Sequence, residues 1–462
     1  MSRKKLDRRQ FLRLAPAAAA ATIAPTLWIP RRARAATTAF GAARHVLILF
    51  AKGGLRSHAL FNAVGTGQHN PWGAQAAAAG TEWTLGAVCG AEGIASSALG
   101  ALGGITAISS DISVLACVDH DPNGVPDVDH DTASYLMAGG EVNAAPSLLA
   151  RIGRDHPRYA DGFSLDAVPP VEIVPSEFGH GSGDYARARP IQVRSPTESF
   201  GASGNAAPDW AKQARASMAD RFASRAAAPY ASRVANFTGA KRTLSLFAPM
   251  LSDPLLDIAG APDADDGNGG LTNQQLREIL GGEHTGELGD PEPRASWSAG
   301  VSQALRFFHF GSPLAVVTND IYDLHGDEDT KFAPRAKDLV RQLVGLNHAL
   351  KAMTHPLGGT YWDSTVVAVV SEFSRNNTDP SSGFNSGRGS DHVLESPAPM
   401  RNQAIALMGG PIVGGRLIGS TDAEMRATGP VFRSRRVLST FLDLLGMSHE
   451  PHWPDEPIAE LY

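Results

Sequence analysis

The sequence predicts an α/β protein: a sandwich with a mainly parallel central sheet, flanked by helices, and a helical or loop insertion at about 150–295. Three observations predict it. Short, continuous apolar runs recur along the chain, which is how strands covered on both faces read. Amphipathic helical patterns separate several of these runs, as in βαβ units. Several runs open into loops carrying Gly, Asp, Glu or His, the residues that collect beyond the C-terminal ends of parallel strands.

The elements follow in chain order. His45–Phe50 is the first run and opens into Gly53-Gly54, so it reads as a central strand. Ile112–Val118 is the second, followed by an acidic, His-containing loop over 119–131. Leu314–Val317 is the third, and Thr365–Val370, the most β-branched, is the fourth. Ala404–Met408 is the fifth, ending at Gly409-Gly410. Helices are expected over 209–227, over Asn273–Leu280 with Thr272 as N-cap, over Lys337–Met353 and over Ser434–Leu445. Residues 150–295 are poor in strand signals and rich in Pro, Gly and Asp, and read as an insertion or cap. Within them, Asp263–Gly270 lacks the closing Glu of a calcium loop and reads as a solvated loop.

The first residues are of a different kind. Arg8-Arg9, then Phe11-Leu12, match the twin-arginine export motif. An Ala-rich, mildly apolar stretch follows to Ile29, and Ala33-Arg34-Ala35 offers small residues to a signal peptidase. The chain therefore reads as a signal peptide over 1–35 and one α/β domain over 36–462. It has 462 residues, 41 Lys and Arg against 47 Asp and Glu, and a net charge of −6. Removing 1–35 takes nine basic residues and one Asp, leaving 32 basic against 46 acidic and a net charge of −14. Such acidity argues against nucleic acid as a partner. The expected location is the periplasm or the exterior, with the twin-arginine translocase as a partner and no stable membrane span after cleavage. That compartment permits a disulfide between Cys89 and Cys117, although Cys117 lies in an apolar run and reads as core.

Ligating and catalytic residue types gather at the expected strand ends. Lys52, Arg56, Ser57 and His58 follow the first strand. His130 and Asp131 follow the second, Asp323 and His325 the third, and Glu372 and Arg375 the fourth, with Asp391-His392 further on. Carboxylates and imidazoles converging from separate loops are what a metal site needs. Ser57 is a candidate nucleophile, with Arg56 or Lys52 to stabilise developing negative charge. Glu372 and Arg375 also read as a structural ion pair, and Trp72 and Phe61 as packing residues.

The run 366–375 (Val-Val-Ala-Val-Val-Ser-Glu-Phe-Ser-Arg), Gly389-Ser-Asp-His392, Gly409-Gly410-Pro-Ile-Val-Gly-Gly-Arg-Leu-Ile-Gly419, Asp323-Leu-His325, Gly53-Gly54 and the closing 456–462 resemble the domain-of-unknown-function 1501 family. The resemblance covers most of 42–462, strongly over 300–420 and thinly over 150–295. It implies an alkaline-phosphatase-like, sulfatase-like fold. It implies Asp323, His325 and His392 as ligands of one divalent metal ion (Zn, Ca, Mg or Mn), with Glu372 and Asp391 as further candidates. Lys52 and Phe373 stand where a second metal of that superfamily would be ligated, so that second site is expected to be lost or rebuilt. Two functions follow as expectations: a metal-dependent hydrolase of phosphate or sulfate esters, acting on an anionic small molecule or glycan ester, or a non-catalytic exported binding or assembly protein.

On export, the mature chain is expected to begin at Ala36, as read by N-terminal mass analysis. Replacing Arg8 and Arg9 with Lys is expected to hold the precursor in the cytoplasm.

Overall fold

Strand β1 (His45–Lys52) is apolar along almost its whole length because both its faces are covered. In the computed structural model, Val46, Ile48 and Phe50 enter one hydrophobic core, whereas Leu47, Leu49 and Ala51 enter a second on the opposite face. The structure describes residues 42–121, 123–124, 129–141, 145–162, 168–186, 188–193, 255–258, 263, 270–281, 297–324, 328–375 and 402–462. The expected leader and the helix expected over 209–227 lie outside them. Only Asp263 and Gly270 of the loop over 263–270 are described.

Eight further strands join β1: β2 (Ile112–Asp119), β3 (Val171–Ile173), β4 (Ile191–Val193), β5 (Ala315–Ile321), β6 (Thr365–Val370), β7 (Gln403–Met408), β8 (Leu417–Ile418) and β9 (Phe432–Arg433). The sheet order is β8-β2-β7-β6-β1-β5-β3-β4, with β9 also on β2. All pairings are parallel except those of β7, which runs antiparallel to both β6 and β2. One reversed strand leaves the C-terminal ends of β1, β2, β3, β5 and β6 on a single edge. It also carries Gly409-Gly410 to the opposite edge. There a Cβ on Gly409 (φ +132°) would stand 1.9 Å from the Thr365 carbonyl.

Helices cover both faces. Leu276 and Ile279 of α3 (Asn273–Leu280), Val301 and Leu305 of α4 (Trp297–Arg306), and Leu339, Leu343, Leu346 and Leu350 of α5 (Glu328–Ala352) pack into the core of Leu47. Met137 of α1 (His130–Met137), Leu149 and Ile152 of α2 (Leu148–Asp155), and Val437 and Phe441 of α6 (Ser434–Leu444) pack into that of Val46. The architecture is α/β, a mixed but mostly parallel sheet between helices. Thr272 caps α3 through a capping box with Gln275. Helix α5 begins nine residues before the expected start, because Pro334, ordinarily a helix breaker, lies inside it.

Two departures have physical causes. Strand β5 runs on through Thr318, Asn319 and Asp320, polar residues that hide its end from an apolar pattern. The described part of 150–295 supplies β3 and β4, three-residue strands too short to show a period. Cys89 and Cys117 are both buried free thiols. Burial pushes each up to about 12, so neither is a reactive thiolate at neutral pH.

At the opposite edge from the C-terminal strand ends, two buried histidines have their tautomers dictated by their partners. His45 Nδ1 donates to the Pro313 carbonyl at 2.7 Å, so its Nε2 accepts from His355 Nε2 at 3.2 Å. His355 Nδ1 in turn accepts from Leu357 N at 3.1 Å. A proton added to either ring breaks one of these bonds. Burial lowers His45 well below its usual 6.5, and lowers His355 and His156 to about 4. The unfolded chain therefore binds protons that the folded chain refuses as pH falls from 6.5 towards 4. Glu172, raised by burial, has the opposite sign, one group against three histidines. The apparent Tm is expected to be flat between about pH 7 and 8 and to fall between pH 6.5 and 4. His355→Gln is expected to make that fall shallower, as read by circular dichroism.

Candidate active site

Parallel register brings the ends of β1, β5 and β6 level. Phe50 pairs with Val370 on one side and Asn319 on the other, and Ala51 pairs with Asp320. The next residues of each chain, Gly53-Gly54, Asp323 and Ser371–Arg375, thus meet at one point. Ser371 Oγ clasps the loop of β1 by donating to the Ala51 carbonyl at 2.6 Å and accepting from Leu55 N at 2.9 Å.

Glu372 is completely buried. Its Oε1 accepts from Gly53 N at 2.6 Å and from His130 Nδ1 at 2.9 Å. Its Oε2 finds no hydrogen-bond donor among the described residues. Its backbone carbonyl accepts from His120 Nε2 at 2.5 Å. His130 is the first residue of α1, whose N-cap Asp129 accepts from Thr132 N at 2.6 Å and Thr132 Oγ1 at 2.7 Å. That cap also holds the Asp129 carboxyl below its usual range. The imidazole is about a quarter exposed and lies on Phe373, with ring centroids 5.0 Å apart. Its Nε2 stands 3.6 Å from Asp323 Oδ1.

Asp323 Oδ1 also receives Arg375 Nη2 at 2.6 Å, while Arg375 Nε donates to the Gly53 carbonyl at 2.7 Å. The guanidinium is wholly buried, and the Asp323 side chain is 39% exposed. The ion pair expected between Glu372 and Arg375 is not formed. Each reaches a different loop instead, because the two side chains leave the β6 end from residues three apart.

The double glycine is a steric requirement. Gly53 and Gly54 have φ of +103° and +94°. A Cβ on Gly53 would stand 2.2 Å from Asp323 N, and one on Gly54 would stand 2.4 Å from Phe373 Cε2 and 2.8 Å from Arg375 Nε.

The other candidates are committed to protein partners. Lys52 Nζ donates to Glu177 Oε1 at 2.6 Å. Arg56 is fully buried, with Nη1 on the His69 carbonyl at 3.3 Å and its guanidinium 5.7 Å from the Trp72 ring. Ser57 Oγ accepts from Ala404 N at 2.9 Å and lies 3.3 Å from Ser374 Oγ, buried within a single helical turn (Ser57–Leu60). His58 Nε2 donates to the Ala116 carbonyl at 2.9 Å. Trp72 stacks near Phe332 and Phe61 near Trp83, so both rings pack. His325, Asp391 and His392 lie outside the described residues.

Glu177 was not legible in advance. It sits in a turn organised by Glu172 of β3, whose Oε1 accepts from Ser176 N at 2.8 Å, Ser176 Oγ at 2.6 Å and Gly179 N at 3.1 Å. The preceding Val174 has φ +61°, a left-handed conformation that costs a β-branched residue roughly 1–3 kcal/mol. Its N–H is held by the Val193 carbonyl at 2.7 Å and its carbonyl by Asn319 Nδ2 at 2.5 Å. No signal in sequence marks this turn, because β3 is only three residues long.

Among the described residues, no group of three His, Cys, Asp or Glu is placed to hold a metal ion. The arrangement they do form is a carboxylate–imidazole–carboxylate series, which has the geometry to pass a proton. A buried carboxylate fixes an imidazole through Nδ1 and turns Nε2 towards a partly exposed carboxylate.

The family described as "Protein of unknown function (DUF1501)" matches residues 175–454. A search of the curated proteins found no match. Among solved structures, "Crystal structure of Ps i-CgsB in complex with k-i-k-neocarrahexaose" is similar at 9% identity, over 90% of this chain and 75% of that one, with a TM-score of 0.33. That level of similarity carries no functional weight.

Gly54→Ala is expected to destabilise the protein by about 1–3 kcal/mol, since a strained φ and an overpacked contact coincide. A lowered Tm and a shifted near-ultraviolet spectrum would report it.

Proposed function

Because the chain belongs to the DUF1501 family, whose description assigns no activity, we propose its function from the site itself: an exported, alkaline-phosphatase-like hydrolase of phosphate or sulfate esters. The observation that carries this reading is the His130 imidazole held at 2.9 Å by the buried Glu372 carboxylate, at the shared C-terminal edge of β1, β5 and β6. With Nδ1–H given to Glu372, Nε2 is the nitrogen left to take a proton from an attacking water or return it to the leaving alcohol; it is covered in this structure, beside Asp323, and a substrate would have to uncover it. Glu372 stabilises the imidazolium that forms between those steps. Arg375 acts at one remove by fixing Asp323 beside Nε2.

A divalent cation is implied by the fold family, with Asp323, His325 and His392 as its proposed ligands. The described residues by themselves do not fit it. Asp323 Oδ1 is taken by a buried guanidinium at 2.6 Å, and a cation beside it would be repelled.

A second reading, an exported binding or assembly protein on the same fold, is favoured by the same ion pairs. Lys52 and Arg375, the cations that follow β1 and β6, are already answered by Glu177 and Asp323. Turnover decides between them. The mature protein is expected to hydrolyse p-nitrophenyl phosphate or sulfate. His130→Ala is expected to lower kcat by about 10²–10⁴, beyond the fall in Tm that losing a donor to the buried Glu372 brings, and Glu372→Gln by a smaller factor. No turnover of either ester, with or without added divalent metal, would leave the binding protein standing. Metal analysis of the same sample separates chemistry by His130 alone from chemistry that also needs an ion on Asp323, His325 and His392.

A further inference from the structure

Two successive residues hold the His130 imidazole. Glu372 takes its Nδ1 at 2.9 Å, and Phe373 lies on its face with ring centroids 5.0 Å apart. The peptide group that joins those residues therefore sets the edge contact and the face contact together. The backbone on either side has other partners. Ser371 N donates to Gln403 Oε1 at 3.1 Å and its carbonyl accepts from Gln403 Nε2 at 2.8 Å, while Arg375 N donates to the Leu55 carbonyl at 3.3 Å. Phe373 itself clusters with Ala133 of α1, apart from both large cores.

His120 holds the peptide in between. Its Nε2 donates to the Glu372 carbonyl at 2.5 Å. A carbonyl only accepts, so Nε2 carries the proton, and in the neutral ring Nδ1 accepts from Ser434 Oγ at 3.1 Å. Both residues are buried. Their anchor is the sheet. Strand β9 lies parallel to β2 with Arg433 opposite Asp119, which sets the next residues, Ser434 and His120, side by side. Ser434 Oγ also lies 3.4 Å from the Leu136 carbonyl of α1, the helix that starts at His130. One imidazole thus ties the segment that holds His130 to the helix that carries it.

We propose that His120 is a positioning residue of this site. By fixing the Glu372–Phe373 peptide it holds the His130 imidazole with Nδ1 on Glu372 and Nε2 towards Asp323. Its consequence for turnover rests on the hydrolase reading above; its consequence for the geometry of His130 does not.

Two variants of the mature protein test it. His120→Gln keeps a donor where Nε2 stands, whereas the side chain of His120→Asn is too short to reach the Glu372 carbonyl. The His130 ring-nitrogen signals in long-range proton–nitrogen spectra, identified by their loss in His130→Ala, report the ring whether or not any ester is turned over. They are expected to shift in His120→Asn and to keep their natural positions in His120→Gln. In turnover of p-nitrophenyl phosphate or sulfate, His120→Asn is expected to lower kcat by about ten-fold to a hundred-fold with KM little changed. His120→Gln is expected to recover most of that, and His120→Asn to cost little more in the His130→Ala background. Absence of turnover by the natural protein sinks the hydrolase reading and leaves the spectra to decide this one. Should His120→Asn not fold, Ser434→Ala removes the Nδ1 contact alone and is expected to shift the same signals by less. His130 signals unmoved in His120→Asn, or in Ser434→Ala where that variant stands in for it, would overturn the proposal. So would signals moved as far by His120→Gln as by His120→Asn.

Discussion

A carboxylate buried at the end of a strand must be met by donors, and Glu372 is such a carboxylate. It is shut off from bulk solvent, and the chain brings it the Gly53 N–H and the His130 imidazole. Each donor imposes a further condition. Gly53 reaches it only with φ +103°, which an L side chain rarely adopts. His130 reaches it only from the first turn of α1, which Asp129 caps. The Asp323–Arg375 pair closes the ring through the Gly53 carbonyl. The loops of β1, β5 and β6 and the start of α1 are therefore one polar unit rather than four independent loops.

The sheet beneath supplies the rigidity that unit needs. Every second residue of β1 belongs to a different core, so the strand cannot shift by one position without moving apolar side chains to the wrong face. Its parallel partners β5 and β6 are fixed in the same way, and their register sets Asp320 beside Ala51. Loops launched from strands held this firmly inherit their precision.

Positive charge is handled differently from what an acidic protein might suggest. Lys52 and Arg375 each meet a carboxylate inside the protein. An anionic ligand at the sheet edge has to compete with those partners.

The five long strands, the helix over Asn273–Leu280 with its Thr272 cap, and the helix beginning at Ser434 were legible from sequence, because apolar runs and cap residues are local signals. So was the placing of Asp323 and Glu372 at strand ends, and of His130 in the loop after β2. The short strands β3 and β4, and with them Glu172 and Glu177, were not, because three residues carry no period. Nor was the reversal of β7, since a buried antiparallel strand and a buried parallel one are equally apolar. The partners within the site were decided only by folding. Sequence places Glu372 and Arg375 three residues apart and suggests they pair. Packing sends one to His130 and the other to Asp323, because hydrogen bonding inside a protein is settled by which loops the sheet brings together.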